Sequence, residues 1–112
     1  MSQQTTFSRA QFEDAREMAY GDITSSFTQI GTPFTSSFSV VFVQNFTNQI
    51  IDFCISYSDT VSLRFSLAPG GSLCTDMISN SVQIAAGESV WCKYRTSAPT
   101  IGFVQVAAIT PV

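Results

Sequence analysis

The sequence predicts an all-β domain, a sandwich or partly closed barrel of about seven strands with a short N-terminal helix or arm. Two observations carry that expectation. Beyond Asp22, apolar residues alternate at period two in segment after segment, the spacing that puts one face of a strand in a core. Turn signals built on Gly, Pro, Asn and Ser separate these segments at intervals of about 8 to 15 residues, the rhythm of a sandwich rather than of βαβ units. The 112 residues make one folding unit with a core of its own. Residues 1–22 are assigned to the arm and helix, and residues 23–112 to the sandwich.

Residues 8–21 are the one helical candidate. Ser8 is a plausible N-cap with Gln11 as its capping-box partner. Phe12, Ala15 and Ala19 fall on one face, Arg16 lies nearby, and Gly21 is a natural stop. A helix this short is unstable alone and has to lean on the sandwich or on a neighbouring chain.

The strands follow in order. Residues 23–30 alternate weakly and end at Gly31-Thr32-Pro33. Residues 38–44 put Phe38, Val40 and Phe42 on one side and Val41 and Val43 on the other, the pattern of a strand buried on both faces, with Phe38, Val40 and Phe42 expected to feed the core. Asn45-Phe46-Thr47-Asn48 reads as a turn. Ile51, Phe53, Ile55 and Tyr57 share the next face, and Ser58-Asp59 turns the chain. Val61, Leu63, Phe65 and Leu67 then alternate with Ser62, Arg64 and Ser66. Residues 73–78, 89–94 and 102–109 complete the set. Two stretches echo each other: Leu67-Ala68-Pro69-Gly70-Gly71-Ser72 and Ile84-Ala85-Ala86-Gly87-Glu88-Ser89 both read as a strand end, a glycine turn and a new strand. Neither leads into a helix carrying Lys and Ser/Thr, so a phosphate-binding P-loop is not implied.

The charge pattern bears most directly on function. Residues 23–51 contain no Asp, Glu, Lys or Arg, and over the chain only 12% of residues are charged, against about 25% in an ordinary soluble domain. A free monomer keeps charge on its surface to stay apart from its copies. A chain this short of charge is expected to be covered by other protein. The expected interface residues are Phe7, Phe12 and Tyr20 from the arm, with Ile30, Thr32, Pro33, Phe34, Gln44 and Phe46 from the uncharged stretch and its turns.

The residues for chemistry are sparse. Without His, the Ser-His-Asp and Cys-His arrangements are closed, and a zinc site built on the three cysteines lacks a fourth soft ligand. Cys54, Cys74 and Cys92 are an odd set with no C-x-x-C spacing, so they are read as reduced, buried thiols. Of the acids outside the arm, Asp59 belongs to a turn, Asp52 faces away from the apolar side of its strand, and Asp76 lies between apolar neighbours. The EF-hand spacing is absent. No enzymatic activity, cofactor or metal is expected. The five cations, Arg9, Arg16, Arg64, Lys93 and Arg95, read as no basic patch, so no nucleic-acid readout is expected. No apolar run is long enough for a membrane helix, and the polar start lacks the blocks of a signal peptide. The chain is therefore expected to fold in a reducing cytosol, where the glycosylation pattern Asn45-Phe46-Thr47 is a chance match.

The order of features resembles a known group. Tyr20-Gly21-Asp22-Ile23 is followed by Phe27 and Gly31-Thr32-Pro33, and an apolar strand leads to Asn45-Phe46-Thr47-Asn48. Then come Ile55-Ser56-Tyr57-Ser58-Asp59, Leu67-Ala68-Pro69-Gly70-Gly71-Ser72, and Thr75-Asp76 with Asn80 just beyond. From about residue 18 onward this resembles the small β-sandwich structural proteins of tailed bacteriophages. The resemblance implies a virion component made in the host cytoplasm, present in several copies at the head–tail connection or on the tail. Its implied partners are copies of itself and portal, adaptor, tail or capsid proteins. A capsid decoration protein is the alternative within that class. A carbohydrate- or receptor-binding module of a fibre is the alternative from another class, one that exposed aromatics near Trp91 and Tyr94 would favour.

Overall fold

A computed structural model describes residues 10–55, 63–75 and 82–111. They form nine strands: β1 (Ala10–Phe12), β2 (Arg16–Ala19), β3 (Thr28–Gln29), β4 (Val40–Asn45), β5 (Ile51–Ile55), β6 (Leu63–Leu67), β7 (Ser72–Cys74), β8 (Val90–Tyr94) and β9 (Phe103–Pro111), with one 3-10 turn at Tyr20–Asp22. The chain is all-β, as its alternation implies, and the strands lie in two packed antiparallel sheets. One runs β1-β9-β4-β7, with β2 also on β9. The other runs β3-β8-β5-β6. The sheets stay open at their edges, so the architecture is a sandwich and not a closed barrel.

The pairing has a simple logic. Strand β2 pairs with β9, β3 with β8, β4 with β7 and β5 with β6, always antiparallel. One half of the chain thus runs back along the other from the β5–β6 connection, like a single long hairpin. Successive rungs of that hairpin fall alternately in the two sheets. Rolled up this way, β4 meets β9 and β5 meets β8. This is the eight-strand wrap of a double-sheet jelly roll, to which β1 is an addition.

The N-terminal segment corrects the expected helix. No α-helix forms over residues 10–21; β1 and β2 both lie on the same edge of β9, with Phe12 opposite Ile109 and Met18 opposite Val104. A short isolated helix would gain only its own marginal hydrogen bonds. As strands the same residues pair the backbone groups that the edge of β9 would otherwise leave open. Met18 then enters the core, whereas Phe12, Ala15 and Ala19, the expected helix face, are all exposed.

The core lies between the sheets. Strand β4 contributes Val41 and Val43, β9 contributes Val104, Val106 and Ala108, β5 contributes Ile51, Phe53 and Ile55, and β8 contributes Val90 and Cys92. Phe53 stacks on Phe65 of β6, with ring centroids 5.4 Å apart. Phe34 and Phe38, from the connection between β3 and β4, meet edge to face at 5.6 Å and close one end. The inward face of β4 is therefore the Val41–Val43 side. Phe42 points out of the sandwich, while Phe38, before the strand begins, turns inward. Alternation names the two faces of a strand, and the register against β9 decides which one is inside. The two echoed turns are glycine turns as expected, with φ of +80° at Gly70 and +87° at Gly87.

Candidate functional surfaces

The sandwich presents two outer faces of opposite character. Outward positions of the five-stranded sheet fall in rows fixed by the register: Phe12, Ile109 and Val40, the last covered by its neighbours and buried; then Ala107, Phe42 and Cys74; then Glu17, Gln105, Gln44 and Ser72. Past these rows, Phe46 lies against Phe103, with centroids 4.9 Å apart. Phe12 is 72% exposed, Phe46 44% and Phe42 37%. Among the described residues of these rows, Glu17 is the one charged side chain, and it accepts a hydrogen bond from Gln105 Nε2 at 3.1 Å.

The outer face of the four-stranded sheet gathers charge. Outward positions on β6, β5 and β8 bring Arg64, Ser66, Asp52, Lys93 and, just past β8, Arg95 to one surface. Asp52 is the hub. Its Oδ1 accepts from Ser66 Oγ at 2.6 Å and from Arg95 Nε at 3.1 Å, and its Oδ2 accepts from Lys93 Nζ at 3.2 Å. Arg95 Nη2 donates to Ser66 Oγ at 2.7 Å. Burial pushes the Asp52 carboxyl up, but the Ser66 hydroxyl, Lys93 and Arg95 outweigh it and hold it below its usual range. The Phe27 ring receives Arg64 at 5.3 Å and Lys93 at 5.6 Å from its centroid. Between these groups lies a depression of about 320 Å³, lined by them and by Phe53 and Phe65. No basic patch is expected from the sequence; the fold assembles one by laying Arg64 beside Lys93 and Arg95, which lie far along the chain from it. The signal was the outward phase of the alternation, Arg64 with Ser66 and Lys93 with Arg95.

Two polar clips hold the loops. The Glu13 carboxylate accepts from the backbone N–H groups of Thr35 and Ser36 at 3.0 Å and from Thr35 Oγ1 at 2.6 Å, and Arg16 Nη2 reaches it at 3.1 Å. Arg16 also donates to the carbonyls of Thr32 and Pro33 and covers the Phe34 ring at 4.4 Å. Asn45 is fully buried. Its Nδ2 donates to the carbonyls of Gln49 and Leu67, both at 2.9 Å, and its Oδ1 accepts from Thr47 N at 2.9 Å and Thr47 Oγ1 at 2.7 Å. The Asn45-x-Thr47 pattern is thus a tertiary staple.

The expected interface residues separate. Phe12, Gln44 and Phe46 lie along the outer face of the five-stranded sheet, Phe12 at one end and Phe46 at the other, and Tyr20, exposed, lies at the Phe46 end with its N–H on the carbonyl of Gly102. Thr32 and Pro33 are exposed in the loop that Arg16 holds. Ile30 and Phe34 must be corrected: both are core residues with no surface to offer, because the loop after β3 folds over the end of the sandwich. Phe7 lies outside the described residues, as do Asp59 and Asp76. Phe42, Ile109 and Cys74 belong to the apolar face and were missed: residues 38–44 read as buried on both sides, Cys74 as a buried thiol, and residues 102–109 as a strand with no face assigned. Trp91 and Tyr94 are half-buried, and Tyr94 packs on the core.

Cys54 and Cys92 are buried and Cys74 is exposed, which corrects the expectation of three covered thiols. Among the described residues, no three His, Cys, Asp or Glu side chains form a group that could hold a metal, and no helix is long and apolar enough to cross a membrane. Comparison with protein-family models, with curated proteins and with solved structures finds no match.

Proposed function

We propose that the protein is a structural subunit of a tailed-bacteriophage virion, assembling in several copies at the head–tail interface or on the tail through the outer face of its five-stranded sheet. The observation that carries this reading is the face itself. It exposes Phe12 and Phe42 around Ile109, Ala107 and Cys74, and Phe46 beyond the polar row of Gln44, with Glu17 as the one charge among the described residues of its rows. Exposed apolar side chains gathered on a sheet face nearly free of charge mark a protein contact. The jelly-roll wrap supports the setting by analogy, since such folds build many viral coat domains, and the turn signatures of the sequence resemble those of phage structural proteins. Assembly here is mechanical: burying the face removes apolar area from water at about 25 cal/mol per Å².

The test is the double variant Phe12→Asp/Phe42→Asp. A carboxylate buried at an interface without a partner costs several kcal/mol, so self-association and incorporation into particles should fall by about a hundredfold or more. Circular dichroism should be unchanged, because both side chains point away from the core. Normal incorporation of the folded variant would sink the proposal. Incorporation confined to the capsid shell would favour the decoration role over the head–tail role.

A further inference from the structure

We propose that the outer face of the four-stranded sheet binds an acidic saccharide unit, its carboxylate or phosphate held between Arg64, Lys93 and Arg95. The concentration of charge is the first argument. The chain has five cations and eight acids and is net −3. Three of the cations line this one depression, and Asp52 is the one acid among the described residues lining it. The carboxylate of Asp52 is already occupied on both oxygens and balances one charge.

Preorganisation is the second argument. The cations stand on paired strands, and each is held in place: Arg95 by Asp52 and Ser66, Lys93 by Asp52 and the Phe27 ring, Arg64 over the same ring. Fixed cations lose little freedom when an oxyanion arrives. Donors remain for it. A guanidinium carries five and Arg95 directs two of its nitrogens at Asp52 and Ser66; an ammonium carries three and Lys93 directs one at Asp52.

Size and lining argue for a sugar. At about 30 Å³ per water-sized group, 320 Å³ holds about ten such groups, so the open depression takes the acid group and part of the ring of a single sugar unit rather than a longer chain. The Phe27 ring and the Ser66 hydroxyl offer apolar and hydrogen-bonding contact beside the cations. The face lies across the sandwich from the apolar surface, so the site stays open when that surface is covered, and it does not rest on the assembly reading.

The experiment is NMR titration of the full chain with glucuronate and with glucose 6-phosphate, glucose serving as the neutral control and inorganic phosphate as the bare anion. The expected result is saturable shifts at residues 52, 64, 66, 93 and 95 with at least one sugar acid at about millimolar concentration, and none with glucose. The arm that saturates tells carboxylate from phosphate. Arg95→Gln and Lys93→Gln should each weaken binding by about tenfold, with circular dichroism confirming the fold. No saturation by either acid to about 50 mM, an equal response to glucose, or inorganic phosphate binding as tightly as glucose 6-phosphate overturns the proposal. So does unchanged affinity in both variants, or saturation by poly-glutamate when neither sugar acid binds, which would assign the face to an acidic protein partner.

Discussion

Gly102 lies against the backbone of Phe46 so closely that a methyl group on its Cα would stand 2.0 Å from the Phe46 carbonyl oxygen. The contact joins the start of β9 to the β4–β5 turn at one end of the sandwich. Gly102 also holds φ at +92°, a region that other residues rarely occupy. Gly102→Ala therefore meets both a backbone clash and an unfavourable dihedral, and should cost about 2–4 kcal/mol. Urea unfolding measures it, with Gly21→Ala as the control. Nothing lies within 4 Å of a Cβ at Gly21, and that variant should shift the midpoint little.

Replacing Asn45 by Ala should be as damaging for a different reason. The Leu67 carbonyl and the Thr47 amide lose their side-chain partner in a buried site, while Thr47 Oγ1 keeps the Gln49 carbonyl at 3.2 Å, and unsatisfied buried polar groups cost about 1–3 kcal/mol each before relaxation. A loss of about 2–4 kcal/mol is expected by the same unfolding assay. Asn48→Ala, which removes an exposed pair of hydrogen bonds with Thr100, should cost about 1 kcal/mol or less.

Acid should loosen the grip of the N-terminal strands. The Thr35 hydroxyl lowers the Glu13 pKa most; desolvation opposes it, and the Thr35 and Ser36 amides and Arg16 add to the lowering. A carboxyl with a lowered folded pKa contributes stability above its unfolded value, about 4.3, and loses it as pH falls through the folded value. Asp52 acts in the same direction. The unfolding midpoint should therefore decline below about pH 4.5. Glu13→Gln should be less stable than the parent at neutral pH and show a shallower decline. An identical pH profile in that variant would mean that the clip contributes nothing.

Thiol chemistry should divide the cysteines. Burial pushes Cys54 up to about 11 and Cys92 up to about 12, so neither forms thiolate at pH 8, and access to both is closed. Cys74 is exposed. A thiol reagent should label one cysteine quickly in the native protein and all three in denaturant. Mapping the fast site to a residue other than Cys74 would contradict the register of β7 against β4.

The sequence alone determined the class of fold. Period-two alternation and glycine turns depend on local geometry, so Ile51, Phe53, Ile55, Phe65 and Leu67 were legible as inward residues before any pairing was known. It also determined that this surface is short of charge. The tertiary structure decided the rest, because each remaining question turns on a partner distant in sequence. Residues 10–19 have a short helical pattern, but the open edge of β9 supplies hydrogen bonds that no local reading contains. Residues 38–44 are apolar on both sides, and the register against β9 put Val41 and Val43 inside and left Phe42 out. The cationic face was the least visible. Arg64, Lys93 and Arg95 sit on segments that look like ordinary half-buried strands, and the nested pairing of β5, β6 and β8 brings them around Asp52.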